Sequence, residues 1–226
     1  MKRTIIVFDF ETTHKDPRSE YCDIVEIGAV AIHSKTLKTI KGSEFYLDVR
    51  PPDIDKPDFY ENRKDTINWH VALQPNRTVD SMIEKWKAGT PEKDAIKMFI
   101  DYCNHYKWGK SWDTSPIAGG TNITDYDIPI LERLVEKYGF KYPFFKRDKY
   151  EIQQLCLYTL GYSPDQPRAY NMDNLRSFFG LATENCHQAL YDAIQEAQII
   201  ELLGGELRSL SKNFQGRGML EKIDVS

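Results

Sequence analysis

The 226-residue chain has four cysteines, and no two of them lie close together: Cys22, Cys103, Cys156 and Cys186 form no C-x-x-C pair. That spacing excludes a zinc knuckle and offers no disulfide framework, so reduced thiols in a cytoplasmic protein are expected. A long apolar run is also lacking. Lys2 and Arg3 precede an apolar stretch, but Asp9 cuts it well short of a signal-peptide core, and no membrane-spanning segment follows. Positive charge is not in excess either. With 34 acidic against 30 basic residues the net charge is −4, which excludes a generally basic surface that holds duplex nucleic acid by charge alone. Any anionic substrate has to be met locally, by a metal or a few cations. There are no repeats or low-complexity tracts, and 41% hydrophobic with 28% charged residues suits one α/β domain with a well-buried core.

What is present starts with Thr4 to Thr13, TIIVFDFETT. Ile5, Ile6, Val7 and Phe8 read as a strand buried on both faces at the centre of a sheet. Asp9 and Glu11 follow it, and side chains two apart on a strand share a face, so both project together while Phe10 points the other way. Two anions at the end of a buried strand are tolerable only around a cation; alternatively the strand has already ended and both lie in a solvated turn.

Further along, Asp23 to Ile32 and Glu44 to Val49 read as second and third strands of an antiparallel meander, joined by a turn over Ser34 to Thr39. The prolines of 51–58 mark a surface connection, with a short helical turn over Thr66 to His70. Thr90-Pro91 looks like a helix start, Thr as N-cap and Pro in the first turn, and Ile96, Phe99, Cys103 and Tyr106 recur at helical spacing after it. Pro116 to Gly120 reads as a fourth strand. A helix from Asp127 follows, with Ile128, Leu131, Leu134 and Val135 on one face and Gly139 as its stop. Lys141 to Lys149 interleaves cations with aromatics, either to grip a single strand or as a solvated loop with Phe144 or Phe145 tucked inward. Helices are expected over about 151–160, 172–179 and 188–203, the last stopped by Gly204-Gly205, with little pattern from Ser209 onward.

Asp127 opens a helix and Asp192 lies in the first turns of the last one; each alone is explained by the helix macrodipole. His187 is five residues before Asp192, about 140° away on a helix, so the two face one site only if His187 precedes the helix proper.

Taken together, D-x-E at a strand end, Asn122 with Asp127, and H-x4-D in HQALYDA resemble the DEDDh 3′-to-5′ exonucleases of the ribonuclease H-like superfamily, over about residues 4 to 203. The interval from Asn122 to Asp127 is one longer than in many members and similar to the oligoribonuclease branch. Asp125 competes with Asp127, which is preferred because it starts the amphipathic helix. The resemblance implies an α/β fold: a mixed five-stranded sheet, three antiparallel strands plus parallel ones, flanked by helices. It implies one exonuclease domain over 1–205 with an insertion at about 51–90, and an extension over 206–226. It further implies that Asp9, Glu11, Asp127 and Asp192 hold two Mg²⁺ or Mn²⁺ ions, whose charge the four carboxylates balance. His187 is then the general base, the substrate is a single-stranded DNA or RNA 3′ end, and the products are nucleoside 5′-monophosphates. Phe10, Thr12, Asn122 and Tyr126 are the candidate nucleotide contacts, although for Phe10 a core position is an equal reading.

Two competing classes are weighed against this. A haloacid dehalogenase-type phosphohydrolase needs Asp where Glu11 stands and a later Asp-Asp pair, which the sequence lacks. A non-catalytic nucleic-acid-binding or polymerase-associated module would have no need of all four carboxylates and the histidine. DNA against RNA, a homodimer and a replication partner are not legible in the sequence.

Overall fold

The computed structural model describes residues 3–216 except 75–76, 112–113, 162–163 and 185, with side chains as far as residue 205. In chain order the elements are β1 (Thr4–Thr12), β2 (Ile24–His33), β3 (Phe45–Arg50), α1 (Lys64–Leu73), α2 (Val79–Lys87), β4 (Thr90–Pro91) and α3 (Glu92–His105). Then come β5 (Ile117–Gly120), α4 (Asp127–Tyr138), β6 (Lys149–Glu151), α5 (Ile152–Leu160), α6 (Met172–Phe179) and α7 (Ala189–Gly216). The sheet order is β4-β3-β2-β1-β5-β6, so β1 lies between an antiparallel partner, β2, and a parallel one, β5.

The two-residue alternation of β1 sorts its side chains between two cores. Ile6, Phe8 and Phe10 face α3 and α4, where Phe8 and Phe10 meet Phe99. Ile5 and Val7 face the other layer, Ile152 and Cys156 of α5, Leu175 of α6 and Ala197 and Ile200 of α7. Asp9 and Glu11 continue the second of these rows and so emerge toward α7. A third, smaller core forms over residues 51–90, where Val25 of β2 packs with Ile54, Phe59, Ile67, Met82 and Trp86. Arg63 ties this lobe down: its guanidinium reaches Asp23 Oδ2 at 2.6 and 3.0 Å and lies 4.3 Å from the Phe59 ring.

Several boundaries differ from the sequence reading. The sheet has six strands rather than five, because Thr90-Pro91 is not a helix cap but a two-residue strand beside Val49 and Arg50. The helix after it starts at Glu92 without a side-chain cap. The connection at 51–90 contains two full helices. Thr78 and Ser81 form a capping box at the start of α2, a signal the prolines upstream obscured. Gly204-Gly205 does not stop α7, which continues to Gly216. Gly204 sits where a Cβ would lie 2.0 Å from Leu37 Cδ1, so its small size serves close packing instead of termination. In the 141–149 loop both phenylalanines turn inward, Phe144 stacking on Phe8 at 5.2 Å and Phe145 lying under Arg3. No described helix is long and apolar enough to cross a membrane.

Gly28 sets how closely α7 approaches the sheet. It pairs with Asp9 in the β1–β2 ladder, and a Cβ there would stand 2.0 Å from the Ala189 carbonyl carbon and 2.1 Å from Leu190 N. Only glycine lets the first turn of α7 rest on β2 beside the acidic end of β1. Gly28→Ala is therefore expected to lower stability by about 1–3 kcal/mol through forced displacement of α7. A urea unfolding midpoint equal to that of the wild type would contradict this.

Candidate active site

Asp9 and Glu11 leave the carboxyl end of β1, Glu11 with 9% of its surface exposed. Asp127 is buried at the first position of α4 and its Oδ1 accepts the Phe10 backbone N–H at 3.0 Å, which fixes it across the end of β1. Asp125 is exposed and turned away. From the other layer α7 supplies Asp192. Its Oδ1 is 2.6 Å from Arg176 Nη2, and its Oδ2 accepts the His187 backbone N–H at 3.1 Å.

His187 lies two residues before α7 in a left-handed conformation, φ 63°. That placement outside the helix resolves the 140° separation: ligand atoms of Glu11, His187 and Asp192 all lie within 4.8 Å of one another. The His187 ring stands edge-on to Trp69, 4.8 Å between centroids, and its carbonyl accepts from Gln74 at 3.5 Å. Trp69 and Gln74 belong to the 51–90 lobe, so α1 holds the histidine from outside the main fold.

Five residues near the site carry no sequence motif. Glu196 is one helical turn beyond Asp192, buried, with Oε1 accepting the Thr121 N–H at 3.0 Å. Arg176 is the buried cation of the cluster, also bonded to Gln195. Glu26 lies opposite Glu11 in the ladder and is neutralised by Lys85. His70, on the buried side of α1, donates from Nε2 to the Thr12 carbonyl at 2.8 Å, with Nδ1 3.8 Å from Glu11. Trp69 is the fifth. Of these only Glu196 had a usable signal, its i,i+4 spacing from Asp192.

The candidate nucleotide contacts separate into two kinds. The Phe10 ring is 4% exposed and packs among the core aromatics. Thr12 and Tyr126 join hydroxyls at 2.5 Å, and Tyr126 also donates to the His14 carbonyl at 2.6 Å. Asn122 sits exposed on the β5–α4 turn, φ 58°, its backbone N–H given to Glu151. Thr12, Asn122 and Tyr126 line a cleft of about 550 Å³ together with Trp69, His70 and Lys15. This cleft shares Glu11 with a smaller one of about 230 Å³ that contains Asp9, Thr121, Arg176, His187, Asp192 and Glu196. An acidic centre thus adjoins an aromatic-walled groove.

Burial raises the carboxyls of Asp9, Glu11, Asp127, Asp192 and Glu196. Asp9 and Glu11 are pushed well above the usual range, first by desolvation and then by neighbouring carboxylates. Asp127 is pushed up to about 8 by burial, against the pull of the Phe10 N–H. Asp192 is pushed up to about 6 by burial, held down by Arg176 and the His187 N–H. Burial lowers His187, which keeps its ring neutral and able to accept a proton near neutral pH. Hard oxygen donors crowded in this way, with the buried Arg176 among them, fit a divalent metal ion.

The fold thus gathers carboxylates where β1, α4 and α7 meet. A family model for the Rv2179c-like 3′-5′ exoribonuclease domain matches residues 4–203. The chain belongs to this family and is a 3′-5′ exonuclease domain. Among solved structures it is similar to E. coli exonuclease I in complex with a dT13 oligonucleotide, with 14% identity, a TM-score of 0.65 and 94% of this chain against 43% of that one covered. The zinc-bound E. coli exonuclease I–single-stranded DNA complex gives 13%, 0.68, 100% and 46%. Cell-death related nuclease 4 gives 13%, 0.65, 91% and 64%. The chain thus spans less than half the length of exonuclease I, and at these identities the likeness is one of fold. No curated protein matches it.

The raised carboxyls set a pH dependence. Each is protonated to a higher pH in the folded chain than in the unfolded one, so metal-free folding is favoured below about pH 4 and loses that advantage as pH rises past about 6 for Asp192 and about 8 for Asp127. In EDTA the melting midpoint is expected to fall between about pH 5 and about pH 8.5, and excess Mn²⁺ to remove the fall. A midpoint that stays level or rises with pH in EDTA would be inconsistent with this charge arrangement.

Proposed function

We propose that the chain removes nucleoside 5′-monophosphates one at a time from the 3′ end of single-stranded nucleic acid, with Asp9, Glu11, Asp127 and Asp192 holding two Mg²⁺ or Mn²⁺ ions. The observation that carries this reading is the convergence of these four side chains, from three separate elements, with His187 at their edge. Held by these four carboxylates, divalent ions would supply charge neutralisation at the scissile phosphate and at the leaving 3′ oxygen. The remaining work belongs to the chain. His187, held by the Asp192 contact and by Trp69, takes the proton of the attacking water on a ring nitrogen that burial keeps neutral. Arg176 keeps Asp192 ionised and oriented.

The aromatic groove beside the acidic centre receives the terminal nucleotides. Trp69, 47% exposed on α1, offers a flat face for stacking a base, while Asn122 and Lys15 stand where sugar and phosphate groups pass. A core-facing Phe10 contributes its backbone to Asp127 and not its ring to the base. The family's description as exoribonuclease supports RNA, and the dT13 oligonucleotide and single-stranded DNA in the exonuclease I complexes support single strands generally. We read residues 1–205 as one exonuclease domain carrying the 51–90 insertion, with 206–226 as an extension. The free cysteines, three of them buried, suit the cytoplasm.

The test is release from 5′-labelled single-stranded RNA and matched DNA, and from a dinucleotide, with Mn²⁺ and with EDTA. Stepwise shortening from the 3′ end that needs the metal supports the proposal; internal cuts, or no release from any substrate, refute it. His187→Ala is expected to reduce turnover about 10²–10⁴-fold while Mn²⁺ affinity stays near that of the wild type. A variant that keeps wild-type turnover would remove His187 as the base.

A further inference from the structure

Two polar atoms in the acidic cleft are buried without a hydrogen-bond partner, Glu196 Oε2 and Thr121 Oγ1. They belong to residues already joined, since Glu196 Oε1 accepts the Thr121 N–H. That bond fixes the Glu196 carboxylate by one oxygen and leaves the other without a partner, in a side chain that lines the same cleft as Asp9, Glu11 and Asp192. Glu196 is 2% exposed, and a buried carboxylate oxygen without a donor is unfavourable unless something cationic meets it. Lys85 and Arg63, the other buried or half-buried cations nearby, are committed to Glu26, Asp48 and Asp23.

Arg176 does not meet Glu196 Oε2 either: its guanidinium is held by Asp192, Asp173 and Gln195. The helical spacing suits a role beside Asp192, because residues four apart on α7 lie one above the other on one face.

We propose that Glu196 is a fifth carboxylate ligand for divalent metal in this site, coordinating through Oε2 while Oε1 stays on the Thr121 N–H; the assignment rests on the metal-dependent reading above. It makes α7 a two-ligand element, with Asp192 and Glu196 one turn apart, and it gives the β5–α4 turn at Thr121 a direct part in setting the ligand's orientation.

Glu196→Gln tests this, since the amide oxygen can still accept from Thr121 and the volume is kept while the charge is lost. The readout is Mn²⁺ binding by the full chain, followed through the electron paramagnetic resonance signal of free Mn²⁺, with circular dichroism and melting to establish folding. One ion fewer per chain, or affinity weakened roughly tenfold or more, is expected. The Mn²⁺ concentration for half-maximal nucleotide release should rise in parallel. A purely structural Glu196 would move none of these in the Gln variant. Glu196→Asp, with its carboxylate set back by one methylene, should weaken binding less. Unchanged Mn²⁺ affinity and stoichiometry in a folded variant of either kind overturns the assignment. Asp9→Asn separates the two readings: loss of Mn²⁺ there with full binding in E196Q removes Glu196 alone, whereas full binding in both removes the metal site as a whole.

Discussion

Carboxylates forced together at the end of a buried strand repel one another and resist losing their water, and the rest of the chain is arranged to make that tolerable. Asp9 and Glu11 are carried to the edge of the core by a strand that is apolar on both faces. Asp127 and Asp192 are brought to them from opposite layers, each held by a backbone N–H and the second also by a buried guanidinium. These donors stabilise the ionised forms without cancelling the burial that raises them. The result is a site with stored electrostatic cost, which bound cations relieve.

The two layers contribute differently. On the α3–α4 side the β1 aromatics form a rigid floor, Phe8 and Phe10 against Phe99 and Phe144, so the strand end cannot sag toward that layer. On the α7 side the approach is set by the smallness of Gly28, which lets a helix N-terminus touch the sheet. This pairing of a stiff floor with a close-fitting helix brings Glu11, His187 and Asp192 within 4.8 Å of one another. The lobe of 51–90 closes the third side. With its own apolar core and the Arg63–Asp23 pair it is anchored well enough for Trp69, Gln74 and His70 to reach His187 and the end of β1.

Much of this was legible in the sequence. The alternation in Ile5–Glu11 specified both the strand and the shared face of its two acids, and the stripes on α3 and α4 specified their buried faces. The acidic and histidine motifs pointed to the family before any geometry. Other features were not legible because they depend on partners far along the chain. Thr90-Pro91 carries a helix-start pattern that pairing with Val49 overrides. Gly204 looks like a stop until Leu37 is placed against it. Glu196 is an ordinary polar residue of a helix until Thr121 and the acidic cleft close around it.

The sequence by itself determined which residues could bind a cation and which strand would bear the first of them, because side-chain period and motif spacing are local properties. The tertiary structure alone decided that His187 stands outside its helix beside Trp69, that Arg176 shares the site, and that Glu196 is held against Thr121 in the acidic cleft. Those outcomes depend on contacts between segments far apart in the chain, as between Trp69 and His187. No local pattern encodes the dielectric and the neighbours a side chain meets once such segments have packed.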